Sequence, residues 1–320
     1  MKQSVRLFDL RARRYCSVPD VPFVVALGNF DGVHTAHHVL LLRAVRTAHE
    51  YSKSKKTYSA AWLFDPPSSD FFTNKIEHLT TLDEKLELFA ACGLDYAFIA
   101  DFSALRECSP EDFIREALLS DAHAVHAVCG FHFNFGKGGT GNTSLLKAVL
   151  GEDRVDIIPP IYTYANGQET VISSTATRAA LVKGDVRTAA SLLGRPYQIS
   201  APVKHGKQLA RTLGLPTINQ DFPALKCIPA PGIYATLCRI NGTSVYGVSN
   251  VGTRPTTDGY NTHINCETHL IDFCDDVYGQ TVTVSFIERL RDEKPFSCVE
   301  ELKEAIVNDV SKCKVFFKLR

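Results

Sequence analysis

A short apolar strand, followed at once by a glycine-containing loop and a helix, constrains the fold of this chain more than any other segment. Residues 22–27 (PFVVAL) are apolar and rich in valine, as in a strand that is buried on both faces of a parallel sheet. Beyond residue 37, the apolar residues Leu41, Val45 and Ala48 recur at helical spacing. The segment therefore predicts a helix N-terminus next to the end of a strand, which is an arrangement that attracts anions.

The loop itself, GNFDGVHTAH at 28–37, places two histidines three residues apart. At the start of a helix, His34 and His37 can donate hydrogen bonds to phosphate oxygens. An alternative is that both are ordinary capping or core histidines, but that alternative leaves Asn29, Asp31 and the two glycines unexplained. We therefore predict a triphosphate site at this loop.

Composition excludes several classes of protein. The chain has 320 residues, of which 45% are hydrophobic and 22% charged, so it is long enough for two domains and its composition is that of a globular protein. Its formal net charge is zero, which gives no general attraction to nucleic acid. No apolar run approaches the roughly 18 residues of a membrane span, and the N-terminus lacks the apolar core of a signal peptide. We expect a cytoplasmic protein without a membrane or nucleic-acid partner.

The ten cysteines are scattered through the predicted strands and helices without CxxC spacing. Such spacing favours reduced thiols over a disulfide framework. It also gives no paired ligands for a zinc site.

The first half of the chain alternates strands with helices, which predicts a mainly parallel α/β sheet. The predicted strands are 22–27, 57–64, 95–100, 124–129 and 155–158. Helix boundaries are indicated by a capping box at Thr81 and Glu84 with Gly93 as terminator, and by the pair Ser109-Pro110. Ligands of such sheets bind at the carboxyl ends of the strands, where the loop 28–37 lies.

The second half has no helical crossovers between its strands. The predicted strands are 197–204, 232–240, 244–251, 262–273 and 280–287. Asn241-Gly242 predicts a type I′ hairpin between two of them. The pattern favours a small antiparallel barrel or sandwich, closed by a helix from about residue 298 with a capping box at Ser297 and Glu300. We place the domains at 1–185 and 186–320, with linker helices in 175–193 that break at Gly184.

The order of short motifs along the chain resembles that of the bacterial bifunctional riboflavin kinase and FAD synthetase family. The motifs are GNFDGVHTAH (28–37), LTTLDEKLEL (79–88), GFHFNFGKGGTGN (130–142), ISSTATR (172–178), LLGRPY (192–197), RTLGLPTIN (211–219), PGIY (231–234), NVGTRPT (250–256), ETHLIDF (267–273), YGQ (278–280) and ERLRDEKPF (288–296). The resemblance implies a Rossmann-like nucleotidyltransferase domain that transfers AMP from ATP to FMN. It also implies a C-terminal β-barrel that phosphorylates riboflavin, with Mg²⁺ used by both.

For the first domain, the resemblance implies three catalytic groups, His34, His37 and Arg178. The nucleotide-binding residues that it implies are Gly28, Asn29, Phe30, Asp31, Gly32, Ser174 and Thr175. The flavin is expected at 130–142, against Phe131, Phe133, Phe135 and Asn142. Aromatic rings can stack on an isoalloxazine, although alternating phenylalanines are also common in protein cores.

For the second domain, the resemblance implies that Thr217 and Asn219 hold the magnesium of ATP, through hard oxygen ligands two residues apart on one side of a strand. Glu267 matches the catalytic base that accepts the proton of the ribityl 5′-hydroxyl. The loop over the phosphates corresponds to Gly206, Lys207 and Arg211. Arg254 and Arg291 are expected on the flavin and nucleotide side.

Two residues of the first domain depart from the family pattern. Ala36 stands where HxGH has glycine, and Pro67 stands where FxPHP has histidine. A competing hypothesis is therefore riboflavin kinase alone, with the first domain kept as a scaffold. The sequence also leaves open a flavin-binding or regulatory module without catalysis, and a nucleotidyltransferase for a pantetheine, nicotinate or lipid-headgroup substrate. For the enzyme we expect a monomer or weak oligomer.

Overall fold

The computed structural model describes residues 4–10, 18–67, 77–165, 167–205, 215–255 and 262–319, with the backbone alone at 253–255 and 262–263. The chain divides into two compact units. The first comprises residues 1–162 and 171–174, and the second comprises residues 163–170 and 175–320. The domain boundary after residue 185 stays a prediction.

The first unit is built on a six-stranded parallel sheet. Its strands are β1 (Arg6–Asp9), β2 (Phe23–Leu27), β3 (Tyr58–Phe64), β4 (Tyr96–Ala100), β5 (Ala124–Gly130) and β6 (Val155–Ile158), in the spatial order β1-β4-β3-β2-β5-β6. Its helices are α1 (Thr35–Tyr51), α2 (Leu82–Ala91), α3 (Phe102–Leu105), α4 (Pro110–Asp112), which continues as a π-helix (Phe113–Asp121), and α5 (Thr143–Leu150). Short 3₁₀ turns occupy Lys137–Gly139 and Glu152–Arg154.

Both faces of this sheet are covered, which explains why its strands are apolar throughout. All five residues of β2 are buried, with Phe23, Val25 and Leu27 in one hydrophobic cluster and Val24 and Ala26 in the other. A strand covered on both faces shows a continuous apolar run instead of alternation. The five predicted strands of this half are confirmed.

Local signals for helix ends are also confirmed here. Thr81 and Glu84 form a complete capping box at α2, and Ser109 caps α4 with Pro110 in its first turn. The strand β1 was not predicted, because RLFD is short and half of its residues are charged; it pairs in parallel with β4.

The second unit contains a six-stranded antiparallel sheet. Its strands are β9 (Tyr197–Pro202), β10 (Thr217–Asp221), β11 (Gly232–Ile240), β12 (Thr243–Pro255), β13 (Thr262–Leu270) and β14 (Thr281–Arg291), in the order β10-β13-β12-β11-β14-β9. The two end strands come together where Lys204, just after β9, bridges Asn219 of β10. Helices α6 (Ser174–Val182), α7 (Val186–Leu193) and α8 (Val299–Phe317) complete the description, together with a hairpin of β7 (Tyr162–Ala165) and β8 (Gln168–Val171).

The sheet curls around a core that contains a chain of hydroxyl groups. Thr236 Oγ1 lies 2.8 Å from Ser249 Oγ, which lies 2.7 Å from Thr268 Oγ1, and all three residues are fully buried. Asn241 and Gly242 form the predicted two-residue turn between β11 and β12, with φ of +48° and +85°. Both values suit a type I′ turn, so the hairpin prediction is confirmed.

The terminal helix α8 is held to the barrel by apolar packing and by a buried ion pair. Cys313 of α8 packs in a cluster with Ile233, Ala235 and Val248. The guanidinium of Arg291 donates to both carboxylate oxygens of Asp309, with a shortest distance of 2.7 Å. The second unit thus has a polar anchor between β14 and α8.

The capping box predicted at Ser297 and Glu300 is wrong. The residue before α8 is Cys298, and it makes no side-chain cap hydrogen bond. Instead the Glu301 carboxylate accepts from the Ser297 backbone N–H at 3.1 Å. The helix begins later than the motif suggested, so Ser297 lies too far outside it to cap the first turn.

The described cysteines are free thiols. Within the described residues, no helix combines the length and the apolar character needed to cross a membrane.

Replacing Asp309 by alanine should lower the free energy of unfolding by about 3 kcal/mol, because the Arg291 guanidinium then loses its buried carboxylate partner. Asp309 is only 2% exposed and the Arg291 side chain is 20% exposed. Urea denaturation followed by far-UV circular dichroism measures the change. Lys314→Ala is the control. Lys314 lies on the same helix as Asp309 and forms an exposed ion pair with Asp272, which follows β13, so its loss should lower the free energy of unfolding by less than about 1 kcal/mol. Equal losses in the two variants would contradict the assignment of Arg291–Asp309 as the anchor.

Candidate functional site

The loop that follows β2 lies at the carboxyl edge of the parallel sheet and has a strained backbone. Phe30 and Val33 have φ of +50° and +39°, in the left-handed region that non-glycine residues seldom adopt, and a β-branched valine least of all. Both side chains are fully buried, and the Phe30 ring packs edge-on against Phe89. Strain of this kind persists where surrounding packing imposes it, and it is concentrated at functional sites.

Asp31 attaches this loop to a neighbouring segment. Its Oδ1 accepts hydrogen bonds from the backbone N–H groups of Leu79 and Thr80, at 2.8 and 3.3 Å. Thr80 Oγ1 in turn accepts from the Gly32 N–H at 2.9 Å, and Ser174 Oγ donates to the Asp31 carbonyl at 2.7 Å. The buried Asp31 carboxylate therefore fixes the loop, and Ser174 brings the start of α6 to it.

His34 is the N-cap of α1. Its Nδ1 accepts a hydrogen bond from the His37 backbone N–H at 3.3 Å, and the two imidazole rings stack with centroids 3.6 Å apart. Because Nδ1 is an acceptor in this cap, a neutral His34 carries its proton on Nε2. Capping and phosphate binding are thus compatible in one residue, since they use different ring nitrogens.

His37 lies in the first turn of α1 beside other cationic groups. Burial lowers the pKa of His37 well below its usual value, and the charges of His34 and Lys85 lower it further. Its Nδ1 atom is buried without a hydrogen-bond partner among the described residues. These effects favour the neutral imidazole at His37, and a polyanion placed beside it would favour its protonation.

An aromatic cavity of about 330 Å³ opens beside the same loop. This volume lies in the range of small-molecule sites. The cavity brings together four predicted residues, Gly28, Asn29, Phe133 and Phe135. His132 and Asn134 of the predicted segment 130–142 also line it, together with residues that were not predicted, which include Trp62, Phe64, Phe102 and Phe113. The Phe133 and Phe135 rings are stacked at 5.6 Å, and Phe135 also contacts Phe113 at 5.2 Å.

Two residues predicted for the flavin, Phe131 and Asn142, do not line this cavity. Phe131 is 48% exposed, packs against the His132 ring and does not line the cavity. Asn142 caps α5, where its Oδ1 accepts from the Leu145 N–H at 3.0 Å. Thr175 is exposed in the first turn of α6, and Arg178 follows one turn later on the same helix.

In the second unit, the strand register places three polar side chains in one row. Asn219 of β10 is directly opposite Glu267 of β13, which is directly opposite Asn250 of β12. Opposite residues of an antiparallel pair lie on the same face, with Cβ atoms roughly 4.5–5.5 Å apart. Thr217 lies on that face too, two residues before Asn219 and opposite His269. The proposed base and the proposed metal ligands therefore share one face of the barrel.

A cavity of about 270 Å³ is lined by Thr217 and Asn219. Asp275, Asp276 and Tyr278, from the loop after β13, also line it and were not predicted. Hydroxyl, amide and carboxylate oxygens are the donors that Mg²⁺ prefers. No group of three or more His, Cys, Asp or Glu side chains suited to a metal occurs among the described residues. The oxygen donors of this cavity thus suit a metal ion that is bound partly by the phosphates of ATP. They do not suit a metal ion that is bound by protein side chains alone.

The remaining predicted residues of the second site are Gly206, Lys207, Arg211, Arg254 and Arg291. Gly206, Lys207 and Arg211 lie outside the described residues, and Arg254 is described only by its backbone in β12. The guanidinium of Arg291, which was expected near the flavin, forms an ion pair with Asp309 of α8.

For Trp62 and Phe64, the sequence does contain a signal that places them near the cavity. Phe64 ends β3, and in a parallel sheet the carboxyl ends of the strands meet at one edge. Trp62 and Phe64 also alternate along β3 as residues on one face do. Phe102 and Phe113, by contrast, come from short helices whose orientation no local pattern indicates.

Comparison with known families assigns each half of the chain to a family. Residues 19–176 match the FAD synthetase family model, and residues 193–317 match the riboflavin kinase family model. The first match contains the loop 28–37 and the aromatic cavity. The second contains the row of Asn219, Glu267 and Asn250.

Proteins similar over the whole length carry both descriptions. The bifunctional riboflavin kinase/FMN adenylyltransferase of Escherichia coli K12 is 35% identical over 305 residues, covering 94% of this chain and 95% of the relative. That of Listeria monocytogenes is 32% identical over 307 residues, covering 93% of each chain.

A crystal structure of a macrolide-efflux protein from Streptococcus pneumoniae has a similar fold, with a TM-score of 0.85 at 25% identity, covering 97% of this chain and 99% of that chain. The two family models and the full-length relatives agree on the chemistry. The chain belongs to the family of bifunctional riboflavin kinase/FMN adenylyltransferases, with an FAD synthetase part followed by a riboflavin kinase part.

Proposed function

We propose that this chain converts riboflavin to FMN and then FMN to FAD, with ATP consumed at each step, and that the residues described above carry the two reactions. The observation that supports the proposal is that each family part groups side chains of the kind its reaction needs. The first has the stacked His34 and His37 at a helix N-terminus, and the second has Glu267 directly opposite Asn219. A scaffold without activity has no need for the strained, tightly anchored loop of the first unit.

In the adenylyl transfer, a phosphate oxygen of FMN forms a bond to the α-phosphorus of ATP, and the bond to the leaving pyrophosphate breaks. Negative charge gathers on the phosphate oxygens during this step. We assign His34, His37 and Arg178 to meet that charge. His34 offers its Nε2–H, while His37 becomes cationic as the triphosphate binds, so its charge is matched to the bound nucleotide.

For FMN, the aromatic cavity provides the apolar surface that an isoalloxazine ring needs. Phe133, Phe135 and Trp62 supply that surface, and Gly28 and Asn29 connect it to the phosphate-binding loop. The flavin site is thus expected next to the histidine pair, where a phosphate of the bound FMN can approach ATP.

In the kinase reaction, Glu267 accepts the proton of the ribityl 5′-hydroxyl, whose oxygen then bonds to the γ-phosphorus of ATP as ADP leaves. Asn219 lies opposite Glu267 and Thr217 follows along the same strand face. Mg²⁺ held with the ATP phosphates offsets their charge. Thr217 and Asn219 are the side chains that would hold it.

The two departures from the family pattern leave these groups in place. Ala36 is the second residue of α1 and has a helical backbone, so this position does not require glycine for its conformation. Pro67 is buried just after β3. We expect the adenylyltransferase to be active but limited in substrate binding.

The zero net charge and the reduced-thiol pattern favour a cytoplasmic enzyme without a nucleic-acid or membrane partner. We expect it to act as a monomer or weak oligomer.

Glu267→Gln should lower riboflavin phosphorylation by about 10²- to 10⁴-fold, because the amide cannot accept the hydroxyl proton. Conversion of supplied FMN to FAD should be unchanged. Incubation with riboflavin or FMN, ATP and magnesium, with chromatographic separation of FMN and FAD, measures both steps. Near-normal FMN formation would remove Glu267 from the mechanism.

Replacing His34 separates its two roles. His34→Asn keeps an N-cap acceptor but removes the imidazole, whereas His34→Ala removes both. We expect either variant to lower FAD formation by about 10²- to 10³-fold while riboflavin phosphorylation stays normal. Only the alanine variant should also lose about 1 kcal/mol of stability. FAD formation at the parent rate in the asparagine variant would restrict His34 to capping. His37→Ala and Arg178→Ala should likewise lower FAD formation and leave riboflavin phosphorylation normal.

Thr217→Ala combined with Asn219→Ala should raise the Mg²⁺ concentration needed for half-maximal riboflavin phosphorylation and leave FAD formation unaffected, since both oxygens belong to the kinase site. A magnesium titration of each step measures this. Thr281→Ala, which removes a hydroxyl elsewhere on the barrel, is the control. An unchanged magnesium requirement in the double variant would exclude these two residues as ligands.

A further inference from the structure

Glu293 lies beside the row that contains Glu267, although it belongs to the segment after β14. Asn250 Nδ2 donates a hydrogen bond to Glu293 Oε1, with the two atoms 3.4 Å apart. Asn250 is directly opposite Glu267. Glu293 is exposed to solvent, so its carboxylate is accessible to a ligand. The barrel face that carries Glu267 therefore has a second carboxylate, Glu293, and the side chain of Asn250 lies between the two.

Gly252 makes room for this carboxylate. It follows Asn250 by two residues on β12 and so lies on the same face of the strand. A Cβ atom at Gly252 would come within 2.2 Å of Glu293 Oε1, which is far inside any van der Waals contact. The φ of Gly252 is not positive, so the glycine matters here for space and not for backbone conformation. A side chain at this position would displace the Glu293 carboxylate from its place beside Asn250.

The backbone that carries Glu293 is anchored two residues earlier. Arg291 donates to Asp309 of α8 through its Nε and Nη2 atoms, and its Nη1 donates to the Asp292 carbonyl at 2.9 Å. This buried pair limits the positions that Glu293 can reach. Arg291, expected from the family resemblance near the flavin, is thereby a residue that positions Glu293.

We propose that Glu293 is a substrate-specificity residue of the kinase site and that it binds the ribityl chain of riboflavin by accepting a hydrogen bond from one of its hydroxyl groups. A carboxylate accepts from the O–H groups of a neutral polyol and repels phosphate, so it suits riboflavin rather than the nucleotide. Oδ1 of Asn250 lies near this carboxylate and is buried without a hydrogen-bond partner among the described residues.

The inference rests on the proposed function, because it takes Glu267 as the group that meets the terminal hydroxyl. Adjacent strands bring the Cβ atoms of Glu267 and Asn250 to roughly 5 Å, and Glu293 contacts the far end of the Asn250 amide. Several hydroxyl groups of one extended polyol can span that interval. Glu267 would then meet the reacting end of the chain, and Glu293 a hydroxyl nearer the flavin ring.

Steady-state kinetics of the full chain test the proposal with two kinds of variant. Glu293→Ala should raise the KM for riboflavin by about 10- to 100-fold with little change in kcat, because a charge-assisted hydrogen bond is lost. Glu293→Gln should raise it by a smaller factor, since the amide oxygen still accepts. Gly252→Ala should have an effect like that of Glu293→Ala by displacing the carboxylate. Combining it with Glu293→Ala should add little, because both changes remove one interaction.

Lumiflavin, which carries a methyl group in place of the ribityl chain, separates chain binding from other causes. As a competitive inhibitor against riboflavin, it should keep the same inhibition constant in Glu293→Ala as in the parent. Glu304→Gln, which removes an exposed carboxylate of α8, is the control and should leave the KM for riboflavin unchanged.

An unchanged KM for riboflavin in Glu293→Ala would overturn the inference, and so would an equal weakening of riboflavin and lumiflavin. Either result leaves the proposed function intact if Glu267→Gln still abolishes phosphorylation. Retained phosphorylation in Glu267→Gln would instead refute the base assignment, whatever the Glu293 variants do.

Discussion

The arrangement of the first site depends on one buried carboxylate. Asp31 accepts two backbone N–H groups from the 79–80 segment, and its own carbonyl accepts the Ser174 hydroxyl. Those bonds hold a loop in which Phe30 and Val33 adopt a strained backbone, costing about 1–3 kcal/mol each. The same loop ends at His34, the cap of α1. Three separate parts of the sequence therefore meet through Asp31, which fixes the loop that leads to the histidine pair.

Preorganisation takes a different form in the second unit. There, the hydrogen-bonded strands themselves place Asn219, Glu267 and Asn250 in a row. A sheet is a stiff support for catalytic side chains, because the pairing of neighbouring strands fixes the backbone that carries them. The two proposed sites are thus supported in two ways, by a strained loop at a helix N-terminus in the first unit and by paired strands in the second.

Most of the regular structure could be predicted from the sequence, because its signals are local. The five apolar strands of the first half, the Thr81 capping box and the Asn241-Gly242 turn each depend on neighbouring residues only. β1 was missed because its place is determined by pairing with β4, nearly ninety residues away. The family resemblance implies which side chains react, and those assignments stay predictions. It could not indicate that Phe102 and Phe113 complete the cavity, or that Arg291 is held by Asp309, since these contacts depend on how helices pack.

Side chains along β13 alternate between the core of the barrel and its outer face, so the position of Glu267 depends on the packing of its neighbours. Cys266 and Thr268 point into the core, and Glu267 between them points to the outer face. If β13 shifted by one residue against its neighbours, its side chains would change faces. The charged Glu267 would then enter the core, and Thr268 would lie on the outer face. The hydroxyl chain of Thr236, Ser249 and Thr268 opposes that exchange, because it is complete in only one register. A single-residue insertion in the paired part of β12 or β13 would therefore break the buried hydroxyl chain and move Glu267 away from Asn219 at the same time.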